Sequence, residues 1–158
     1  MTKRRVVITG LGAVSPFGIG VDKFWNSLVE GKSGITTSEL IDVTKHVVKI
    51  SGEVKNFNPD EYLDPKEAKK MDRFIQFAMI AADEAVKDAK LEEVNDVDPY
   101  KIGVIVSSAA GGFRTFEENH IRILEKGPNK CSPFTIPMMI VNMASGRISM
   151  KYGFKGIN

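Results

Sequence analysis

Between Lys101 and Ser107 the chain reads IGVIV without a polar residue. A strand with no polar alternation has no face to give to water, so it needs cover on both sides, the habit of parallel sheets packed between helices. The preceding segment can supply such cover. From Pro65 to Ala89 the apolar positions Met71, Phe74, Ile75, Ala78, Ala81, Ala82, Ala85, Val86 and Ala89 recur at helical spacing. One long helix is predicted there, with a second half rich enough in alanine to lie close against a neighbour. The polar linker LEEVNDVDPY separates it from the strand, an order compatible with a βαβ unit and a parallel neighbour.

The other elements keep the alternation going. Arg5 to Thr9 is a short, β-branched run read as a buried first strand; it stops at Gly10, and Gly10 to Gly18 forms its exit turn. Val21 to Val29 places Phe24, Trp25 and Leu28 at helical spacing, closed by Gly31 and Gly34, and predicts a helix against one face of the sheet. Ile50 to Val54 reads as an edge strand or hairpin arm. A further helix is expected between Gly112 and Leu124, and a last one from about Ile136 to Lys151, with Thr135 as its cap and Pro137 in its first turn. Asn142 sits among apolar neighbours and needs partners if it is buried. Strand and helix alternating in this way define the α/β class.

With 158 residues, 42% of them apolar, the chain has enough material for one compact domain. Its last thirty residues point to something larger. Ala144, Ser145 and Gly146 thin the last helix for tight contact, and the turn Tyr152-Gly153-Phe154-Lys155-Gly156 aims at an element beyond Asn158. Residues 1–158 are therefore expected to be the front portion of a bigger fold. A net charge of +2, with no basic tract interleaved with aromatics, argues against a nucleic-acid partner. Cys131 is the only cysteine, so no internal disulfide can form, and MTKRRVVITG lacks the apolar core of a signal peptide. The cytosol is the simplest compartment, and no apolar stretch approaches the roughly 20 residues that span a bilayer.

Four features invite a chemical reading. Gly10-Leu11-Gly12 follows a strand as a dinucleotide loop would, but Ser15 stands at the third glycine position and Pro16 where a helix should be running, so a tight turn is the better reading. No cofactor is expected. Ser107 to Gly112 is a run of small residues at the end of the strongest strand, with room for a substrate or for another backbone. Cys131 lies in a loop between Pro128 and Pro133 with no histidine near in sequence, and His46, His120 and one cysteine do not make an ordinary zinc site. Lys66 and Lys70, and Lys69 and Arg73, are spaced four apart and would share one helical surface. That surface is either a solvated face offset by Glu67 and Asp72 or a dock for an acidic protein or a phosphate-bearing substrate.

Taken together, VVITGLGAVSPFG, FWNSLVEGKSGI, GEVKNFNPDEYLDPKEAKKMDRFIQFA, IGVIVSS with Gly111-Gly112, and EKGPNKCSPFTIPMMIVNMASGRISMKYGFKG resemble the β-ketoacyl-acyl carrier protein synthases, condensing enzymes of the thiolase superfamily, and specifically their type II members. The resemblance covers essentially the whole chain. It implies a layered αβαβα fold of two similar halves, of which only part of the N-terminal half is present, and a homodimer. The implied reaction condenses malonyl-acyl carrier protein with a growing acyl thioester in fatty acid synthesis. Polyketide ketosynthases and their non-catalytic chain-length partners share many of these motifs, and a structural or regulatory protein built on half the fold is a further alternative.

The same resemblance puts the nucleophilic cysteine several residues after the stretch matching GFKGIN, with two histidines and a lysine further on. Neither Cys131 nor His120 matches them, so no catalytic residue is assigned within 1–158 and the segment alone is expected to be inert. Ala110, Phe134 and Thr135 match positions in or beside the acyl channel. Ala110 and Thr135 are smaller than the isoleucine and phenylalanine many relatives carry, which implies a roomier channel. Lys66, Lys69 and Lys70 match the carrier-protein dock, with Arg73 beside them.

Overall fold

The computed structural model describes residues 4–94 and 96–158; Met1 to Lys3, part of the start inspected for a signal peptide, and Asn95 of the polar linker lie outside the described residues. Two compact units divide the chain: Met1–Phe57 with Ile80–Val94, and Asn58–Met79 with Asn95–Asn158.

In the first unit, strands β1 (Val14–Ser15) and β2 (Gly18–Ile19) pair antiparallel, Val14 opposite Ile19. Helix α1 follows over Val21–Val29, the span its apolar spacing predicts. Its apolar side is not closed over: Trp25 and Leu28 stay exposed, and Phe24 meets the ring of Phe17 at 6.4 Å. Strands β3 (Thr36–Thr37) and β4 (Ile50–Ser51) form a second antiparallel pair, so the Ile50 segment is a hairpin arm of two residues.

The glycines of the GLG turn are explained by the helix they lie against. A Cβ on Gly10 would overlap the carbonyl oxygen of Ala85, and one on Gly12 would overlap that of Ala81. Both residues therefore let backbone lie on backbone, and the alanines at 81, 85 and 89 provide the matching thin surface. The space a dinucleotide phosphate would need is filled by helix. Three amides of the segment end on acidic side chains of that helix: Leu11 N on Asp88 Oδ2 at 2.9 Å, Ala13 N on Glu84 Oε2 at 2.9 Å, and Val21 N on Glu84 Oε1 at 2.8 Å.

The expected long helix is two helices, α2 (Pro65–Ala68) and α3 (Arg73–Asp88). In a continuous helix Ala68 O would accept from Asp72 N. Here it accepts instead from Met71 N and from the side-chain amide of Gln76, which also reaches Met71 O. Asp72 then starts a new helix by accepting from Phe74 N at 3.3 Å. The division between the two units falls inside α3.

The second unit holds α2, the start of α3, α4 (Phe113–Lys126), α5 (Thr135–Met139) and α6 (Met143–Tyr152). Its buried apolar side chains are Ala68, Met71, Ile75, Met79, Ala144 and Ile148, with Ile75 wholly enclosed. The expected last helix is also broken in two. Met139 O, which would hold Met143 N in a continuous helix, is taken by Gly112 N at 2.8 Å, and Met143 N turns to Ile140 O. Asn142 lies at this break, exposed, and its carbonyl receives Gly146 N and Ser145 Oγ.

Two expected strands are corrected. Arg5–Thr9 and Ile102–Ser107 form no regular ladder among the described residues, and Val6, Ile8 and Ile105 are exposed at 90%, 82% and 87%. A ladder needs a second backbone. For Ile102–Val104 the described residues provide two bonds of one: Gly156 N donates to Ile102 O, and Val104 N to Ile157 O, the segments advancing in the same direction. Gly103 and Gly156 permit that approach, since a Cβ on either would press on the opposite backbone within 2.7 Å.

Candidate functional site

All of the residues read as pocket or dock belong to the second unit. Gly111 adopts φ +63°, and a Cβ there would overlap Met139 O; one on Gly112 would lie 2.9 Å from Met139 Cα and 3.0 Å from Asp72 Oδ2. The small-residue run after the strong strand thus makes room for another backbone, that of α5. Ser108 Oγ holds the turn by accepting from Gly111 N at 3.0 Å. Ala110 stands exposed on this turn, beside the C-terminal end of α5, while Phe134 and Thr135 occupy the other end, about 6 Å away along the helix axis.

Thr135 lies inside the first turn of α5 and does not cap it. Its hydroxyl donates to Ser132 O at 2.7 Å, and Ser132 Oγ accepts the amide of Phe134 at 3.2 Å. Phe134 is 44% exposed, so a large aromatic side chain is available at this end of the helix. Cys131 is exposed, with Sγ 3.6 Å from Thr135 Oγ1 and 3.8 Å from Ser132 O. Neither neighbour is a base. His120 stacks on Phe116 with ring centroids 6.2 Å apart. Among the described residues no group of three or more His, Cys, Asp or Glu side chains is placed to hold a metal ion.

The four basic residues do not share one helical surface, because the helix breaks between them. Lys66 is on α2, Lys69 and Lys70 are in the turn, and Arg73 opens α3 with its guanidinium carbon 4.9 Å from the centre of the Phe77 ring. Lys66 and Lys69 are exposed; Lys70 and Arg73 are half-buried. Of the two acids expected to offset this charge, Glu67 does so: Lys70 Nζ lies 2.7 Å from its Oε1, and Arg147 Nη1 on α6 3.0 Å from its Oε2. The Lys70 hydrogen bond, with help from Arg147, keeps the Glu67 carboxyl below its ordinary range.

Asp72 is the other acid, and it faces inward. It is 7% exposed and accepts from Thr115 N at 3.0 Å and Thr115 Oγ1 at 2.5 Å. Thr115 and Asn119 are the buried residues of α4, with Asn119 Nδ2 on Thr115 O and Asn119 Oδ1 accepting from Ser132 N. Helix α4 therefore buries polar side chains, while Phe113, Phe116 and Leu124 stand exposed among its charged residues. A cavity of about 460 Å³ adjoins α2, lined among others by Leu63, Glu67, Met71, Met79, Arg147 and Met150. Arg147 Nε is buried there with no hydrogen-bond partner among the described residues. Sequence reasoning missed Asp72 as a buried link, although an acid just ahead of a helix is a cap signal. It had no signal for Arg147.

Solved structures define the class: an α/β, thiolase-like ketosynthase fold, represented here by part of its N-terminal half. A beta-ketoacyl synthase from Burkholderia phymatum STM815 matches with a TM-score of 0.77 at 21% identity, over 98% of this chain and 38% of its own. The ishigamide ketosynthase/chain length factor matches with a TM-score of 0.80 at 24% identity, over 99% and 39%. A type II PKS ketosynthase solved in complex with its acyl-carrier protein gives 0.77 at 22% identity, over 97% and 40%. At these identities the likeness is one of fold. Residues 3–158 match the family described as beta-ketoacyl synthase, N-terminal domain, and the chain belongs to that family.

Among curated relatives it is 44% identical over 158 residues to 3-oxoacyl-[acyl-carrier-protein] synthase 2 of Synechocystis, covering 100% of this chain and 38% of that protein. It is 47% identical over 155 residues to the protein of the same name in Staphylococcus aureus strain N315, covering 98% and 37%. The chain thus spans a little over a third of the length of the relatives it matches.

Proposed function

We propose that residues 1–158 are the N-terminal portion of a 3-oxoacyl-[acyl-carrier-protein] synthase II, preceding the nucleophile elbow. The complete protein is an acyltransferase that condenses malonyl-acyl carrier protein with an acyl thioester in fatty acid synthesis. The observation that carries this reading is the 44% identity to the Synechocystis synthase 2 across every residue of the chain. The polyketide proteins are matched at 22–24% identity, which favours the fatty acid enzyme over them. The complete protein is read as a cytoplasmic homodimer; among the described residues no helix is long and apolar enough to cross a membrane.

The chemistry asked of such an enzyme explains what this portion contributes. A cysteine thiolate at a helix N-terminus attacks the acyl thioester and releases the carrier thiol; loss of CO2 from the malonyl group then yields the carbanion that attacks the cysteine-bound acyl carbonyl and expels the thiolate again. Residues 1–158 do not supply that cysteine and are inert by themselves. They supply walls and a landing surface. Ala110, Phe134 and Thr135 flank the acyl channel, where each buried methylene contributes roughly 0.8 kcal/mol. Lys66, Lys69, Lys70 and Arg73 receive the acidic carrier protein.

The test is a condensation assay on the full-length protein with malonyl- and acyl-carrier protein. A 3-oxoacyl product with release of CO2 is expected; no product from either thioester would overturn the assignment. Reversing Lys69 and Lys70 to glutamate is expected to raise KM for carrier-protein substrates while small thioester analogues are turned over nearly as before. Equal losses on both would remove the dock from these residues.

A further inference from the structure

Helix α2 carries part of the basic surface, yet it has four residues, too few to persist on its own hydrogen bonds. Its position is set by side chains at three points. Asp64 caps its start by accepting from Lys66 N at 2.9 Å and Glu67 N at 3.0 Å. Gln76 takes the carbonyls at its end. Sideways, Glu67 is held by Arg147 from α6, 80 positions further along the chain. The Arg147 side chain is only 18% exposed, against 44% for Glu67, so the guanidinium is placed by packing and the carboxylate reaches to it. The free oxygen of Glu67 then receives Lys70.

We propose that Arg147 is a positioning residue for the carrier-protein dock: through Glu67 it fixes α2 and the Lys70 ammonium, and so sets the spacing of Lys66, Lys69 and Lys70 that an acidic partner meets. This rests on the reading of that surface as the dock. Arg147 itself is too enclosed to be a principal contact, and its effect passes through one carboxylate.

Charge alone and positioning make opposite forecasts for one variant. Glu67→Gln removes a negative charge from a surface meant for an acidic protein, so electrostatics by itself lowers KM for carrier substrates. If Glu67 relays the hold of Arg147, the same change raises it. Steady-state kinetics on the full-length synthase are expected to show KM for malonyl-carrier protein rising about three- to tenfold in Glu67→Gln and in Arg147→Gln, a size in keeping with loss of a partly covered ion pair. The value of kcat is expected to hold, as is turnover of a small pantetheine thioester. Arg147→Lys should recover part of the loss, and the double variant should be no worse than either single one.

A lowered KM in Glu67→Gln, or additive losses in the double variant, would overturn the proposal. Should Arg147→Gln fail to fold, Arg147→Lys and Glu67→Gln decide by the same criteria. Lys69→Glu separates the two levels. If it raises KM for carrier substrates while Arg147→Gln and Glu67→Gln leave it unchanged, the dock stands and the positioning role falls; if Lys69→Glu also has no effect, both fall.

Discussion

Asp72, in the turn before α3, grips Thr115 on α4 twice, taking its backbone amide at 3.0 Å and its hydroxyl at 2.5 Å. Both residues are buried, so the carboxylate has exchanged water for these donors and for Phe74 N. Asp72→Ala strands two donors of α4 in the interior. A loss of about 2–4 kcal/mol is expected, and about 1–2 kcal/mol for Thr115→Val, which keeps the amide bond. The urea midpoints of the two variants check this, with Asp72→Ala expected to be the lower.

The acyl-channel reading predicts a change in chain-length preference when Ala110 or Thr135 is enlarged. Ala110→Ile and Thr135→Phe should shift the full-length enzyme towards shorter acyl groups. Each methylene excluded costs about fourfold in kcat/KM, from roughly 0.8 kcal/mol per CH2. Competition between acyl thioesters of increasing length measures it, and a profile identical to that of the parent would remove both residues from the channel.

Glu53 gathers the corner between β3 and β4. Its carboxylate accepts from the Ser38 hydroxyl, Glu39 N at 2.9 Å, Ser51 Oγ at 2.8 Å and Leu40 N at 3.4 Å, and the first two of these chiefly lower its pKa from 4.5 to about 2. A carboxyl depressed on folding stabilises the folded form above its unfolded pKa and ceases to do so as pH falls through the folded value. The corner should therefore keep its full support above about pH 4.5 and lose it towards pH 2. Protection of the Glu39 amide, taken relative to its intrinsic exchange rate at each pH, should fall through that window in the parent and be low throughout in Glu53→Gln.

Gly12→Ala would drive a methyl into the carbonyl of Ala81. That atom is backbone, so Ala81→Gly gives no relief, and the turn must lift away from α3. A loss of about 1–3 kcal/mol is expected, the range for overpacking. Thermal midpoints of the single and double variants should fall together; recovery in the double variant would contradict the contact.

Side-chain periodicity revealed elements whose bonds are internal, and failed where a neighbour competes for backbone. Helix α1 depends on a distant residue only at its first amide, which Glu84 receives, and its span is legible to the residue. The two predicted long helices contain no proline or glycine at their breaks. They are interrupted because Gln76 takes Ala68 O and Gly112 takes Met139 O, bonds between segments that no local pattern encodes. The IGVIV run carries the apolar signature of a strand, but a ladder is a property of two segments, and among the described residues its backbone bonds to a distant segment go to Gly156 and Ile157 alone. In the site, clustered lysines were visible as a motif. Arg147 was not, because it stands 80 positions from the carboxylate it holds.

The two oxygens of Glu84 receive Ala13 and Val21 separately, so the intervening hairpin is measured off against a single side chain. An inserted or deleted residue between those positions would pull one amide from its oxygen while the other stayed. The stretch from 13 to 21 accordingly has a length matched to the two oxygens of one side chain on α3, and exchanges that preserve the number of residues leave both bonds within reach.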